Sequence, residues 1–151
     1  MPSLRLTSPA FEDGEPIPER YGYDADDVNP PLSIEGVPAD AAALAIVMDD
    51  PDAVEPAGKI WDHWVVWNVD PGVDEIPADW EATDAVEGRN DYGDVGYGGP
   101  NPPDGEHTYR FRLYALREPV ALDRGATTAD LEDAIRGAVV DEALLEGTFA
   151  P

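Results

Sequence analysis

The sequence predicts a mostly β fold, an antiparallel β-sandwich with short helices near the C-terminus. Three segments with strand patterns support this prediction: the apolar run AALAIVM at residues 42–48, the aromatic and β-branched run at residues 61–69, and an alternating run at residues 107–116. Because strands outnumber helical patterns, packed sheets are expected rather than a helical bundle. With 151 residues, the chain is expected to form a single domain, residues 1–151.

Strand alternation assigns side chains to faces, because successive residues of a strand point to opposite sides. In the run at residues 61–69, one face is expected to carry Trp61, His63, Val65, Trp67 and Val69, and the other Asp62, Trp64, Val66 and Asn68. Both faces carry apolar groups, so this strand is expected inside the sandwich. In the run at residues 107–116, one face is expected to carry His107, Tyr109, Phe111, Leu113 and Ala115, and the other Thr108, Arg110 and Arg112.

The best helix pattern lies near the C-terminus. Thr127 and Asp130 match a capping box, and Leu131 and Ile135 follow as an apolar stripe at i, i+4. A second short helical piece is expected at residues 138–145. Both helices are expected to lie outside the sheets.

The charge balance is strongly acidic, with 33 Asp and Glu against 9 Lys and Arg, and a net charge of −24. The apolar content of 42% and the clear strand patterns favour a folded protein over a disordered one. We therefore expect a surface adapted to concentrated salt, where the Debye length falls to roughly 3 Å. The expected source is a halophile, and folding should be lost when the protein is diluted from molar into millimolar KCl, as followed by circular dichroism.

The same composition bears on partners and location. No basic patch is present to displace counterions, so no nucleic-acid partner is expected. The start MPSLRLTSPA lacks the apolar run of a signal peptide, no segment has the pattern of a membrane span, and the location is expected to be cytoplasmic. An acidic chain without a basic amphipathic helix is not expected to associate stably with membranes. Cysteine is absent, which excludes disulfides and thiolate metal sites.

The candidate chemistry centres on the two histidines, His63 and His107, since each starts from a pKa near neutrality. Asp50 and Asp52 flank Pro51 at the end of a predicted strand, and the Gly/Pro-rich stretch GYGGPNPPDGEH leads into His107. The plain interpretation is two structural histidines hydrogen-bonded in the core. Two histidines with one or two aspartates could also form a metal site, although their spacing is not that of a recognised ligand set. The chain offers no strong pattern for nucleophilic catalysis.

Several ordered sequence blocks resemble the phosphatidylethanolamine-binding protein family, also called Raf kinase inhibitor proteins, and most of all its YbhB/YbcL branch. The blocks are Asp50-Pro51-Asp52-Ala53, the HWVVWN run from His63, the GYGGPNPP run from Gly96, HTYRF from His107 and LYAL from Leu113. The resemblance covers about residues 16–149. Local departures from the family pattern occur at Asn29, Ile34, Val54 and Asn101.

The resemblance implies a β-sandwich with a small surface pocket for anions such as phosphate or a phosphorylated head group. Matched position by position, it implies these ligand-binding residues: Asp50, Asp52, Trp61, His63, Gly99, Pro100, Pro102, Pro103, His107 and Tyr109. No cofactor and no bound metal are expected. Relatives in the family inhibit kinases or serine proteases, so a protein target of either kind is compatible with the resemblance, as is a homodimer.

The hypothesis for this pocket is that Asp50 or Asp52 orients a histidine, while His63, His107 and loop N–H groups hold the anion. The expected function is therefore binding or regulation without catalysis. The alternative is a hydrolase or lyase that uses the same Asp/His group on a small phosphorylated or carboxylated substrate. The acidic segment at residues 24–31 is expected to be a solvated loop.

Overall fold

The computed structural model describes residues 4–151, apart from the side chains of residues 55 and 56. Within this range the strands form two antiparallel sheets, so the predicted mostly β fold is confirmed. The smaller sheet consists of β1 (Arg5–Thr7), β2 (Leu32–Glu35) and β5 (Glu75–Ile76), in the order β1-β2-β5. The larger sheet consists of β3 (Ala43–Asp50), β4 (Trp61–Val69), β6 (Val86–Glu87), β7 (His107–Leu116) and β8 (Val139–Phe149), in the order β6-β4-β3-β7-β8.

The described helices are short and lie outside the sheets. The one-turn helix α1 (Val54–Ala57) follows a 3₁₀ turn at Pro51–Ala53, another 3₁₀ turn lies at Glu19–Tyr21, and α2 is Thr128–Ala134. Among residues 4–151, no helix has the length and apolar composition needed to cross a membrane.

Strand β3 is the centre of the larger sheet, and all of its residues are buried. It pairs with β4 on one side and β7 on the other. Leu44, Ile46 and Met48 pack in the core with the smaller sheet. Ala45 and Val47 pack on the opposite side, near Leu131 of α2. Because both faces are covered, the strand needs a continuous apolar run, and the structure extends the predicted segment by two residues to Asp50.

Strand β4 departs from simple alternation because it contains two irregularities in its pairing with β3. His63 is an extra residue between the pairs Met48↔Trp64 and Asp49↔Asp62. A second extra residue lies near Asn68, which has a φ of 57°. β-Bulges of this kind re-aim the side chains that follow them.

The bulges correct the predicted faces of β4. Val65 and Trp67 were expected on the face of His63, but they pack on the opposite side of the sheet, near α2. Val69 was expected with them, but it packs with Trp64 in the core between the two sheets. A strict period of two cannot anticipate an inserted residue, which shifts every later side chain to the other face. In β7, by contrast, the predicted alternation is confirmed, since the odd-numbered residues are buried and the intervening ones are half-exposed.

The C-terminal region confirms one helix and corrects another. Thr127 caps α2 with the predicted capping box, accepting from the Asp130 N–H while the Asp130 carboxylate accepts from the Thr127 N–H. Residues 138–145, expected to be helical, instead lie almost entirely in β8. Strand β8 pairs with β7 from end to end and buries Leu145, and this pairing outweighs the local helix preference of the segment.

Candidate ligand-binding pocket

A cavity of about 180 Å³ lies at one end of the larger sheet. Its walls are Asp50, Ala53, Ala57, Trp61, His63, Tyr92, Asn101, Pro102, Pro103, His107 and Tyr109. Two wider clefts, of about 480 and 720 Å³, contain neither histidine. The smaller cavity is the one that both histidines line.

Strand pairing explains why residues far apart in sequence meet here. Strand β3 ends at Asp50, and its antiparallel neighbours β4 and β7 begin beside that end with Trp61 and His107. The bulge at His63 turns its ring into contact with Tyr109, at a centroid distance of 5.2 Å. The pocket is thus a consequence of sheet order and one inserted residue.

The predicted site residues fall into two groups. Those that line the cavity are Asp50, Trp61, His63, Pro102, Pro103, His107 and Tyr109. Those that do not line the cavity are Asp52, Gly99 and Pro100. Residues of this second group support the segments that carry the lining residues.

Asp50 has both carboxylate oxygens in use. Its Oδ1 accepts from the Asp52 N–H at 2.9 Å, which closes the turn at Pro51, and its Oδ2 lies 2.6 Å from His107 Nδ1. The side chain of Asp52 points elsewhere and accepts from the Thr108 N–H at 2.8 Å. Asp50 is therefore the carboxylate that orients a histidine, and Asp52 fastens the turn to β7.

His107 lies between two carboxylates. Its Nδ1 is 2.6 Å from Asp50 Oδ2, and its Nε2 is 2.6 Å from Asp104 Oδ1. Ionised carboxylates only accept hydrogen bonds, so with Asp50 and Asp104 both ionised the two ring nitrogens donate and the ring is an imidazolium. Burial opposes the charged ring, but the hydrogen bonds to Asp50 and Asp104 outweigh it and raise the pKa of His107. Burial likewise raises the pKa of Asp50, against the opposing effect of His107.

His63 has the opposite environment. Its Nδ1 donates to the Gly98 carbonyl at 2.7 Å, and the Gly98 N–H donates back to the His63 carbonyl at 2.8 Å. Burial lowers the pKa of His63 to about 4, although the Gly98 carbonyl partly offsets this effect. The ring is therefore neutral near pH 7, and Nε2 carries the lone pair of an acceptor.

These contacts change the hypothesis that histidine and loop N–H groups together hold an anion. His63 has no free N–H to offer, because its protonated nitrogen is bonded to Gly98. The N–H groups of three loop glycines are also in use: Gly96 donates to the Gly88 carbonyl, Gly98 to His63, and Gly99 to Asp27 Oδ1 at 2.7 Å. The expectation that these loop amides and His63 donate to a ligand is wrong for this structure.

Two buried donors lie beside the cavity. Trp61 Nε1 and the Tyr109 hydroxyl are inaccessible to solvent, and neither makes a hydrogen bond of standard geometry among the described residues. Burial, and then the nearby Asp50 carboxylate, raise the pKa of Tyr109, so its hydroxyl keeps its proton and Asp50 is its nearest candidate acceptor. Both groups belong to residues that line the cavity, but a bound molecule could reach them only after a side-chain movement.

The wall formed by Gly99 and Pro100 packs against the segment at residues 21–23. A Cβ atom on Gly99 would lie 2.3 Å from the Tyr21 carbonyl oxygen, so only glycine fits this close approach. The Pro100 carbonyl accepts from the Tyr23 N–H at 2.9 Å. These contacts fix the base of the loop, from which Pro102 and Pro103 reach the cavity.

Sequence patterns missed three residues that build the site. Tyr92 lines the cavity, donates its hydroxyl to the Gly99 carbonyl and packs edge-on against His63, but it lies in a loop without periodicity. Asp27, assigned to a solvated acidic loop, instead accepts from Gly99, and burial raises its pKa. Asp104 contacts His107, and its spacing of three residues from that histidine was the available signal. The described residues contain no group of three or more His, Cys, Asp or Glu arranged to hold a metal ion.

Comparison with known proteins places the chain among relatives of similar length. A UPF0098 protein of Methanothermobacter thermautotrophicus is 44% identical over 151 residues, which cover 97% of this chain and 98% of that protein. A UPF0098 protein of Chlamydia trachomatis is 38% identical over 149 residues, with 97% and 98% coverage.

Two solved structures also match nearly the whole of this chain. A phosphatidylethanolamine-binding protein homologue from Chlamydia trachomatis matches with a TM-score of 0.91 and 37% identity, covering 98% of this chain and 97% of that one. YbcL of E. coli, described as a member of the mammalian PEBP family, matches with a TM-score of 0.89 and 28% identity, covering 97% of each chain. The family model for phosphatidylethanolamine-binding protein matches residues 7–150. The chain therefore belongs to the phosphatidylethanolamine-binding protein family.

Proposed function

We propose that this family member binds a small oxyanion, with phosphate or a phosphorylated head group as the best fit, and acts as a binding or regulatory protein without catalysis. The observation that carries the proposal is the imidazolium of His107, a buried positive charge on the wall of a cavity. Asp50 and Asp104 flank this cation, so the attraction for an added anion is set by the three groups together, at a dielectric constant lower than that of water.

The size of the cavity supports a small ligand. Pockets for drug-sized molecules are typically about 300–1,000 Å³, and this one is about 180 Å³. A single phosphate or carboxylate group fits such a space, with any larger substituent extending into solvent.

The polar groups on the walls favour phosphate over a simple carboxylate. Neutral His63 offers an acceptor, which suits the P–OH group of monohydrogen phosphate or of a phosphate monoester monoanion. An ionised carboxylate has no such donor, and it has two oxygens against the three terminal oxygens of a phosphate monoester. Trp61 Nε1 and the Tyr109 hydroxyl are closed to solvent, so they could donate to a ligand oxygen only after a side-chain movement.

The net charge of −24 opposes anion binding at low ionic strength. The described ion pairs leave most acidic side chains unpaired with a base, so this charge is spread over the surface. Near molar salt, screening confines each surface charge to roughly 3 Å, so the charges that act inside the pocket are those of His107 and its two neighbours, Asp50 and Asp104. An acidic surface suited to concentrated salt and an anion pocket are therefore compatible.

Calorimetric titration of inorganic phosphate at constant high ionic strength tests the proposal. The wild type should bind, and the His107→Gln protein should bind at least about tenfold more weakly, as expected for loss of a charged hydrogen bond. Equal binding by both proteins, with circular dichroism confirming that both fold, would refute the assignment to this pocket. Phosphorus NMR of a phosphate monoester should show no conversion over hours, whereas release of phosphate would support the hydrolase alternative.

A further inference from the structure

The two carboxylates that flank His107 differ sharply in exposure. The Asp50 side chain is 4% exposed, and the Asp104 side chain is 52% exposed, although each lies 2.6 Å from a ring nitrogen. Asp50 is also fixed by the Asp52 N–H. Asp104 is held to the described structure by its contact with His107, so it is the exchangeable partner of the ring.

The position of Asp104 coincides with the position that a bound oxyanion needs. Asp50 is hydrogen-bonded to Nδ1 of His107 on the buried side, so a ligand could bond only to Nε2. In this structure the hydrogen bond from Nε2 goes to Asp104 Oδ1. An oxyanion cannot bond to Nε2 until the Asp104 carboxylate leaves.

The local chain allows that exchange. Asp104 is preceded by Pro103, which lines the cavity, and followed by Gly105, whose φ of 152° is favourable for glycine. A rotation of the Asp104 side chain toward solvent breaks one hydrogen bond and re-exposes a charged group that is already half-exposed. The incoming oxyanion takes the place of Asp104 as the acceptor at Nε2, so the ring has two anionic acceptors both before and after the exchange.

We propose that Asp104 is a tethered competitor of the ligand, which occupies the anion position on His107 and is replaced when an oxyanion binds. This inference rests on the proposed function. A tethered group acts at a high effective concentration, commonly millimolar for short flexible connections. The apparent dissociation constant then equals the intrinsic one divided by the fraction of molecules in which Nε2 is free.

Competition makes a prediction that simple charge repulsion does not. Removing the competitor raises the affinity for every anion that uses Nε2 by the same factor, whatever the charge of that anion. Removing a repelling charge favours a dianion over a monoanion. Acetate, a monoanion, and sulfate, a dianion at pH 6, are therefore suitable probes, and they also distinguish a carboxylate ligand from a tetrahedral oxyanion such as phosphate.

The test uses Asp104→Ala with Glu106→Ala as its matched control. Glu106 is an exposed acid two residues away that does not line this cavity, so its removal deletes the same charge without freeing His107. Titrations at pH 6, below the raised pKa of His107 in the wild type, and at constant high ionic strength should show about tenfold tighter binding of both anions to Asp104→Ala, if the free state is about a tenth of the population. Glu106→Ala should change either affinity by less than about twofold, since one exposed charge is well screened.

The outcomes separate the two proposals. If the wild type binds phosphate but Asp104→Ala binds neither anion more tightly than Glu106→Ala, the competition is overturned and the pocket assignment stands. If neither the wild type nor Asp104→Ala binds phosphate or either anion, the proposed function fails and the competition fails with it. As a second measure on the wild type, the carboxyl ¹³C signal of Asp104 should move toward that of a solvated aspartate on saturation with phosphate. An unchanged signal at saturation would overturn the competition.

Discussion

His63 and His107 lie on the walls of one cavity and are similarly buried, at 2% and 4% exposure, yet their surroundings impose opposite charge states. His63 donates to a carbonyl, which is a neutral acceptor, so burial lowers its pKa to about 4. His107 donates to two carboxylates, and these raise its pKa despite burial. The comparison shows that the bonding partner and the depth of burial together decide which of the two rings is charged.

The two charge states give the two histidines different roles in the pocket. The neutral ring pins the Gly98 backbone on one side and offers an acceptor to the cavity. In the proposed function, the charged ring supplies the positive charge for a bound anion. If His107 were the neutral ring and His63 the charged one, no cation would lie next to Asp50, and the charge of that buried carboxylate would be uncompensated.

The largest expected effect follows from removing the charged ring. The His107→Gln change leaves Asp50 buried without a cation, and breaking a buried ion pair in this way costs about 3–5 kcal/mol. The free energy of unfolding in urea should fall by about 3 kcal/mol, since Gln still donates one hydrogen bond. The double variant Asp50→Asn/His107→Gln should recover much of the loss because it removes the unpaired charge as well. A single variant as stable as the wild type would contradict the ion pair.

The neutral ring is expected to make stability depend on pH in the acidic range. The pKa of His63 is about 4 in the folded protein and 6.5 as its ordinary value, so the unfolded state binds more protons between these limits. Stability should therefore fall as the pH drops from about 6.5 to 4, by up to about 3 kcal/mol in total. The His63→Gln protein should lack this contribution when both are followed by urea denaturation at several pH values.

Asp62, the neighbour of His63 on β4, supplies a control of opposite sign. Burial, and then the charge of Asp91, raise its pKa from 3.8 to about 6, so the folded state binds more protons between those limits. The contribution of Asp62 to the free energy of unfolding therefore increases as the pH falls from 6 to 3.8, and it offsets part of the stability lost through protonation of His63. The Asp62→Asn protein should therefore lose stability more steeply with acid than the wild type, and a shallower loss would refute this assignment.

A smaller effect is expected from the residue that holds the glycine loop. Asp27 has a φ of 54° and accepts from the Gly99 N–H at 2.7 Å. The Asp27→Gly change keeps the backbone conformation accessible but removes the acceptor, so it should cost about 1–2 kcal/mol and weaken phosphate binding about two- to threefold through the loop. Asp27→Asn is the matched control because Asn retains an acceptor oxygen and tolerates a positive φ. Equal losses in the two variants would show that the hydrogen bond to Gly99 is unimportant.

Much of the larger sheet was predictable from sequence. Strands β3, β4 and β7 have long apolar or alternating patterns, and α2 has a complete capping box, so local signals and tertiary structure agree. Strand β8 was mistaken for a helix because its partner β7 decides its conformation from outside the segment. Strands of two to four residues, such as β1, β5 and β6, are too short to show a period.

The lining of the cavity was partly predictable from sequence, but its hydrogen bonds were not, and that these residues bind a ligand stays a prediction. The resemblance to a family identified seven residues that line the cavity, because motif positions carry over between relatives: Asp50, Trp61, His63, Pro102, Pro103, His107 and Tyr109. It could not assign protonation states, since these depend on a bulge at His63 and on Asp104, three residues from His107. The use of Gly98 and Gly99 N–H groups by other residues was equally hidden, because it requires the fold of the loop.

The central claim is that His107 carries the positive charge of the pocket and His63 does not. Nitrogen-15 NMR of histidine-labelled protein between pH 4 and pH 9, assigned with His63→Gln and His107→Gln, tests it directly. The account predicts that His107 shows two protonated nitrogens at pH 7, while His63 shows a protonated Nδ1 and an unprotonated Nε2 down to about pH 5. Two histidines that titrate together near pH 6.5 would contradict it.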